Sequence, residues 1–149
     1  MSEELDIIIV DDDPGVCEVL SKMIEGFYTW GKVISYTDIN EATSYCLSRE
    51  LGVGIFVIDV FLGGKSGFYF LDVIKEKFPA ANEDSIIITG HASDDVVNMC
   101  ISANIHYLLE KPIRPYALQL AVRAIVMKYL TFARRLLRDP AFAASVPNF

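Results

Sequence analysis

Residues 53–68 read VGIFVIDVFLGGKSGF, and this stretch decides the fold. Its first half, residues 53–60, is an almost unbroken apolar run rich in β-branched residues. Such a run is typical of a strand that is covered on both faces of a sheet. Asp59 lies inside the run, and burying a lone carboxylate is costly. The stretch therefore predicts a central strand whose carboxyl end carries a functional acid.

Short apolar runs on both sides of this stretch alternate with segments of helical spacing. The spacing predicts helices after Pro14, from Asp38, around Leu71 and Phe78, and after Ser93. The alternation predicts an α/β fold, a doubly wound parallel sheet of five strands with helices on both faces. The second strand is the weakest and is expected at an edge. The four further strands are expected at residues 5–10, 33–37, 85–89 and 107–109.

A long final helix is predicted over residues 114–138, about twice the mean helix length of globular proteins. We expect residues 1–130 to form one domain and residues 131–149 to be a helix extension followed by a loose tail. An apolar seam along this helix consists of Leu118, Val122, Ile125, Tyr129, Phe132 and Leu136, and a second apolar flank consists of Leu120, Met127, Leu130 and Leu137. Beyond Lys128 the seam is expected to pair with a second copy of the chain, unless the helix breaks near Thr131 and the tail packs on its own domain.

Composition excludes several classes of protein. Thirteen basic and twenty acidic residues give a net charge of −7, which argues against nucleic-acid binding by this domain. Seven of the bases and no acid lie between Lys111 and Arg138. The acidic start MSEELD is unlike a signal peptide, and the longest apolar stretch is too short to span a membrane. We expect a cytoplasmic protein with no membrane contact, whose three cysteines (Cys17, Cys46 and Cys100) are buried thiols.

Four of the five predicted strands end at a polar group of a particular kind. The first ends in an acidic triplet at residues 11–13, the third near Asp59, the fourth at Thr89 and the fifth at Lys111. Ligands bind at the carboxyl ends of the strands in such a sheet. Carboxylates suit Mg²⁺, and a Lys with a Thr hydroxyl suits phosphoryl oxygens. The strand ends therefore predict a magnesium site beside a phosphoryl-binding pair, in which a carboxylate is able to act as nucleophile.

The runs IIIVDDDP, IDVFLGGKSGF, IIITG and LLEKPI, with Gly67 eight residues beyond Asp59, resemble the receiver domain of two-component response regulators. The resemblance covers nearly all of residues 5–130. It implies a flavodoxin-like sheet of order 2-1-3-4-5. It also implies that Asp59 accepts a phosphoryl group from a phosphohistidine on a sensor histidine kinase or phosphotransfer protein. Such a domain is no enzyme beyond its own phosphorylation and dephosphorylation.

The resemblance also assigns the remaining site residues. Asp12 should bind Mg²⁺ directly, and Asp11 directly or through water. Asp59 and the backbone carbonyl of Phe61 should complete the protein ligands. Thr89 and Lys111 should contact the phosphoryl oxygens, and the bond between Lys111 and Pro112 should be cis.

Two departures from the family pattern stand out. Gly63 and Gly64 replace a usual proline, so that loop is expected to be mobile. Leu108 takes the place of the aromatic residue that swings inward on activation, with Tyr107 just before it. A receiver-like interaction module that is not phosphorylated therefore remains the alternative.

Two enzyme or cofactor classes of similar fold are disfavoured. A haloacid-dehalogenase enzyme needs an Asp where Phe61 stands. A flavodoxin needs donor groups where the acidic loop DDDPG stands.

Overall fold

The computed structural model describes residues 4–146. A five-stranded parallel sheet forms its centre, in the order β2-β1-β3-β6-β7. Its strands are β1 (Ile7–Val10), β2 (Val33–Tyr36), β3 (Ile55–Asp59), β6 (Ser85–Thr89) and β7 (Tyr107–Glu110). A two-stranded antiparallel hairpin follows β3 and consists of β4 (Phe61–Leu62) and β5 (Lys65–Ser66). The helices are α1 (Pro14–Glu25), α2 (Ile39–Ser48), α3 (Gly67–Ile74), α4 (Asp94–Ser102), α5 (Pro115–Arg138) and α6 (Pro140–Ser145).

Strand order and register confirm the predicted fold class. Counted along the chain, the five sheet strands lie in the order 2-1-3-4-5, and Ile7 of β1 pairs with Val33 of β2 and Ile55 of β3. The second strand lies at an edge, as predicted, and is only partly buried. Every residue of β1, β3 and β6 is buried, because helices cover both faces of these strands.

The core has one layer on each face of the sheet. On one face Phe56 and Ile58 pack against residues from α2, α3 and α4, including Cys46 and Cys100. On the other face Ile7, Ile9, Val57 and Ile88 pack against α1 and α5. Cys17 lies in this second layer, so all three cysteines are buried and unpaired, as expected.

Local signals fix where the helices begin. Asp13 caps α1, since its carboxylate accepts a hydrogen bond of 2.8 Å from the backbone N–H of Gly15, and Pro14 follows in the first turn. Ser93 caps α4 in the same way. Helix α3 ends at Ile74, earlier than its apolar spacing suggested, although Phe78 remains buried below it.

The carboxyl-terminal region differs from expectation in its last part. Helix α5 runs unbroken through Thr131 to Arg138, but residues 140–145 form α6 rather than a loose tail. Asp139 caps α6, and the Phe142 ring lies 5.6 Å from that of Phe132 on α5. The tail thus packs on α5, while residues 147–149 lie outside the described residues and the domain boundary at residue 130 stays a prediction. Among residues 4–146, none of the helices combines the length and the apolar character of a membrane span.

Candidate functional site

Three strand ends bring Asp11, Asp59 and Lys111 together. Asp11 directly follows β1, Asp59 is the last residue of β3, and Lys111 directly follows β7. The Lys111 ammonium donates to Asp11 Oδ2 at 2.9 Å and to Asp59 Oδ2 at 2.7 Å. The sequence separations are 100 and 52 residues, so parallel strands joined by crossovers create this contact.

Backbone donors hold the second oxygen of each carboxylate. The N–H of Asp13 donates to Asp11 Oδ1 at 2.9 Å, and the N–H of Phe61 donates to Asp59 Oδ1 at 3.1 Å. Each carboxylate is therefore oriented by its own following loop and by one shared lysine. Such fixed orientation is what a reacting carboxylate requires.

Burial and charge set the ionisation of this group. Asp11 is fully buried and Asp59 nearly so. Burial raises the pKa of Asp11, against the opposing effects of its hydrogen bonds to Asp13 and Lys111. Burial alone would lower the pKa of Lys111, but hydrogen bonds to Asp59 and Asp11 outweigh it and the pKa is raised. Lys111 is therefore a cation at neutral pH.

Asp12 adds a third carboxylate to the site. Asp11, Asp12 and Asp59 each offer one oxygen, and these oxygens lie within 4.8 Å of one another. The donor set consists of hard oxygen atoms only, which fits Mg²⁺ rather than a softer metal. Three carboxylates against one ammonium also leave the site with excess negative charge. The residues present thus fit a divalent cation, and Phe61 as a carbonyl ligand stays a prediction.

Thr89 ends β6, the strand between those of Asp59 and Lys111. It is buried, and its hydroxyl donates to the His91 carbonyl at 3.0 Å and accepts from the His91 N–H at 3.2 Å. Among the described residues, no hydrogen bond joins Thr89 to Asp59. The predicted residue thus lies at the expected edge, with its hydroxyl engaged by the loop that leads to α4.

The hairpin β4–β5 beside Asp59 was not anticipated from the sequence. Gly63 at its tip has a φ of 67°, a conformation that L side chains rarely adopt. The Gly63-Gly64 pair was the available signal, since glycines are typical of hairpin turns. Gly67 has a different role: a Cβ there would lie 2.4 Å from the Asp59 carbonyl oxygen. Only glycine lets α3 begin this close to the end of β3.

Leu108 and Tyr107 face opposite sides of β7. Leu108 packs on the layer that contains Phe56 and α4, whereas Tyr107 packs on the layer of α1 and α5. Side chains alternate along a strand, so Tyr107 does not reach the place of Leu108 without a change of register. The peptide bond between Lys111 and Pro112 is cis, as the resemblance implied.

Comparisons with known proteins agree with this geometry. The family model described as "Response regulator receiver domain" matches residues 7–123. The heme response regulator HssR of Staphylococcus saprophyticus is 29% identical over 123 residues, covering 82% of this chain and 51% of its own length. A solution structure of a beryllofluoride-activated NtrC4 receiver domain dimer shares 27% identity at a TM-score of 0.70, covering 83% of this chain and 98% of that chain.

A second solved structure supports the fold alone. The crystal structure of a response regulator receiver domain protein from Clostridium thermocellum has a TM-score of 0.72 and 19% identity, covering 85% of this chain and 98% of that one. The chain spans about half the length of the first curated relatives that it matches, 51% of one and 42% of another.

Proposed function

The chain belongs to the response regulator receiver family, and from that premise we propose that it is a phosphorylation-activated switch whose phosphoryl acceptor is Asp59. Receiver domains serve phosphorylation-based two-component signalling. The proposed donor is a phosphohistidine on a sensor histidine kinase or a phosphotransfer protein. The observation that carries this assignment is the single ammonium of Lys111 shared by Asp11 and Asp59.

The proposed reaction forms one bond and breaks one. An Asp59 carboxylate oxygen attacks phosphorus, the phosphorus–nitrogen bond of the donor breaks, and the histidine nitrogen keeps the electron pair and takes up a proton. The product is an acyl phosphate. The N–H of Phe61, which donates to Asp59 Oδ1, holds the carboxylate while the reaction proceeds.

Charge on the transferred group needs compensation. Lys111 moves from Asp59 Oδ2 to a phosphoryl oxygen, and the Thr89 hydroxyl turns from the His91 carbonyl to donate to another. Because Thr89 is bonded to the loop before α4, its change of partner alters that loop. Leu108 packs beside α4 without an aromatic ring, so we propose a readout through the loop and α4 rather than through ring rotation.

Asp11, Asp12, Asp59 and the Phe61 carbonyl would hold Mg²⁺ in this proposal. A cation held there would supply positive charge to offset that of the phosphoryl oxygens. Asp12 is exposed and lies at the open side of the site. Its place there lets a cation enter without disturbing the buried Asp11.

A small phosphodonor tests the proposal directly. Incubation with acetyl phosphate and Mg²⁺ should add one phosphoryl group, detected by intact-mass spectrometry, and EDTA should prevent it. Asp59→Asn should abolish the added mass. Asp72→Asn, which changes an exposed acid on α3, is the matched control and should leave it unchanged. Stoichiometric labelling of the Asp59→Asn variant, or no labelling of the native chain, would favour the alternative of an unphosphorylated interaction module.

A homodimer through the α5 seam is a separate proposal. Leu118, Val122 and Ile125 of the seam are buried in the domain, so only its outer part is available to a second copy. There Phe142 of α6 packs on Phe132. We propose that dimerisation through the seam requires α6 to leave, exposing Phe132 and Leu136.

Disrupting α6 tests the dimer. Phe142→Asp should shift the chain from monomer towards dimer at micromolar concentration in sedimentation velocity. A second change, Phe132→Asp, should reverse that shift, because it places a charge in the seam itself. Ala144→Asp, on the same short helix at an exposed position, is the control. A Phe142 variant that stays monomeric at all concentrations contradicts the proposal.

A further inference from the structure

Three of the four residues in the second apolar flank of α5 are exposed within residues 4–146, while Leu130 is partly buried against the core. Leu120 is 64% exposed, Met127 44% and Leu137 87%. The seam differs, because its inner part packs on the sheet and Phe132 is met by Phe142. A row of apolar side chains along one helix face is costly to leave in water and marks a binding surface.

This flank borders a groove. Phe27 and Trp30, which follow the end of α1, face Arg123, Met127 and Leu130 of α5 across a space of about 240 Å³. We call these five residues the Trp30 groove. Trp30 is 49% exposed, which is high for the largest apolar side chain. The groove adjoins the end of α1, whereas the phosphorylation site adjoins its beginning, so the two are separate surfaces.

Unpaired positive charge lies on the same face. Arg123 and Arg134 are eleven residues apart in a continuous helix, which separates them by about 20° of rotation and about 16 Å of rise. Within the described residues neither makes an ion pair with a carboxylate. Helix α5 contains no acid, so nothing on it offsets these charges. A partner that supplies carboxylates would therefore be attracted to this face.

The positive charge of Arg123 and Arg134 distinguishes among the possible binding partners of this face. Two copies that packed this face against each other would oppose arginine to arginine in either helix direction, because both charged positions are basic. An anionic membrane is disfavoured by the net charge of −7 and by the concave shape of the groove. An amphipathic helix with acidic and apolar residues meets both the shape and the charge.

We propose that the Trp30 groove and the adjoining flank of α5 bind an acidic amphipathic helix of a partner protein. Its apolar residues fill the groove over Trp30 and Met127. Its carboxylates, spaced by about eleven residues, pair with Arg123 and Arg134. The site goes beyond the phosphoryl switch, since none of its residues belongs to the acidic cluster.

The only tryptophan in the chain serves as the reporter. The probe is a synthetic helical peptide of about 22 residues of Leu, Ala and Glu, with Leu on one face and Glu at positions i, i+4, i+7 and i+11. Saturable binding should shift Trp30 emission to shorter wavelength. A peptide with Lys in place of every Glu should not bind. Asp59→Asn should bind the acidic peptide as the native chain does, which separates this test from that of the switch.

Charge reversal provides the decisive variants. The double variant R123E/R134E should weaken binding by at least about tenfold in calorimetry, because two attractive pairs become repulsive. Lys75→Glu, a single charge reversal at the end of α3 and away from the groove, should leave affinity unchanged. Equal binding of both peptides, or no binding of either, overturns the proposal. A Trp30 shift with phosphatidylglycerol vesicles but not with the peptide also overturns it and assigns the surface to a membrane. A self-associated chain with Trp30 already buried assigns it to a second copy.

Discussion

The two ends of the sheet hold their buried carboxylates differently. At the amino-terminal end, Asp6 directly precedes β1 and its Oδ2 accepts from Arg49 at 2.7 Å, with both side chains only 2% exposed. Asp84 directly precedes β6 and accepts from Lys128 and the Tyr129 hydroxyl. At the carboxyl-terminal end, one lysine serves Asp11 and Asp59 with Asp12 beside them.

The contrast separates structural from functional charge. The two buried acids at the amino-terminal end, Asp6 and Asp84, each have their own cation. Acids at the carboxyl-terminal end outnumber their cation, so that edge is stabilised by adding positive charge. Matched buried pairs are a sign of architecture, and an unmatched cluster is a sign of a binding site.

The largest expected loss of stability is at the amino-terminal end of the sheet, where Asp6 and Asp84 each have their own cation. Arg49→Met leaves the buried carboxylate of Asp6 without its cation and should lower the free energy of unfolding by about 3–5 kcal/mol in urea titrations. Lys22→Met removes an exposed pair with Glu18 and should cost under about 0.5 kcal/mol. Similar losses for the two variants would mean that the buried pair has no special role.

The next largest effect is expected at the carboxyl-terminal end of the sheet, where it depends on whether Mg²⁺ is present. Lys111→Met leaves two buried carboxylates facing each other and should destabilise the fold by about 2 kcal/mol in EDTA. Mg²⁺ should restore a large part of that loss, since it replaces the missing charge. Mg²⁺ should raise the stability of Arg49→Met by no more than it raises that of the native chain. Thermal denaturation with and without Mg²⁺ measures both.

Alkaline pH should lower the free energy of unfolding through two buried tyrosines at the amino-terminal end of the sheet. Burial raises the pKa of Tyr129, helped by its bond to Asp84, and burial raises the pKa of Tyr28, whose hydroxyl donates to the Leu5 carbonyl. The unfolded chain releases these protons near pH 10, whereas the folded chain retains them. The stabilisation is therefore complete below about pH 10 and declines above it, by about 1.4 kcal/mol per tyrosine at pH 11.

Urea titrations at pH 9 and pH 11 measure this decline. Tyr129→Phe should make it smaller by about 1.4 kcal/mol, the share of one buried phenol, while the buried thiols of Cys17, Cys46 and Cys100, whose pKa burial also raises, keep their own share. Tyr116→Phe, at an exposed position, should leave it unchanged. An equal decline in all three proteins assigns the effect to other groups.

The smallest effect should come from the exposed acid. Asp12→Asn removes repulsion from Asp11 and Asp59 and should raise stability by under about 1 kcal/mol in the absence of Mg²⁺, with the gain shrinking at high salt. Asp38→Asn, at a helix cap away from the cluster, should give no such gain. A destabilised Asp12 variant at low salt contradicts the excess of negative charge.

The sequence could predict the site at the carboxyl-terminal end of the sheet but not the ion pairs at the amino-terminal end. Asp59 was recognisable because it interrupts an apolar run, and the parallel sheet follows from the alternation of strands and helices, whereas the strand order was implied by the resemblance to receiver domains. The pairs at the other end left no local signal, since Arg49 lies 43 residues from Asp6 and Lys128 lies 44 residues from Asp84. Helix α6 also escaped prediction, because the packing of Phe142 on Phe132, rather than helical periodicity, stabilises so short a segment.

The three buried cysteines allow the rate at which parts of the fold open to be measured. Burial raises the pKa of each thiol, that of Cys46 to about 12, so the reactive thiolate is scarce while the fold is closed. Alkylation therefore waits for the surrounding layer to open. Cys17 of α1 donates to the Asp11 carbonyl, Cys46 lies on the buried face of α2 and Cys100 on that of α4, so three labelling rates report the opening of three separate parts of one domain.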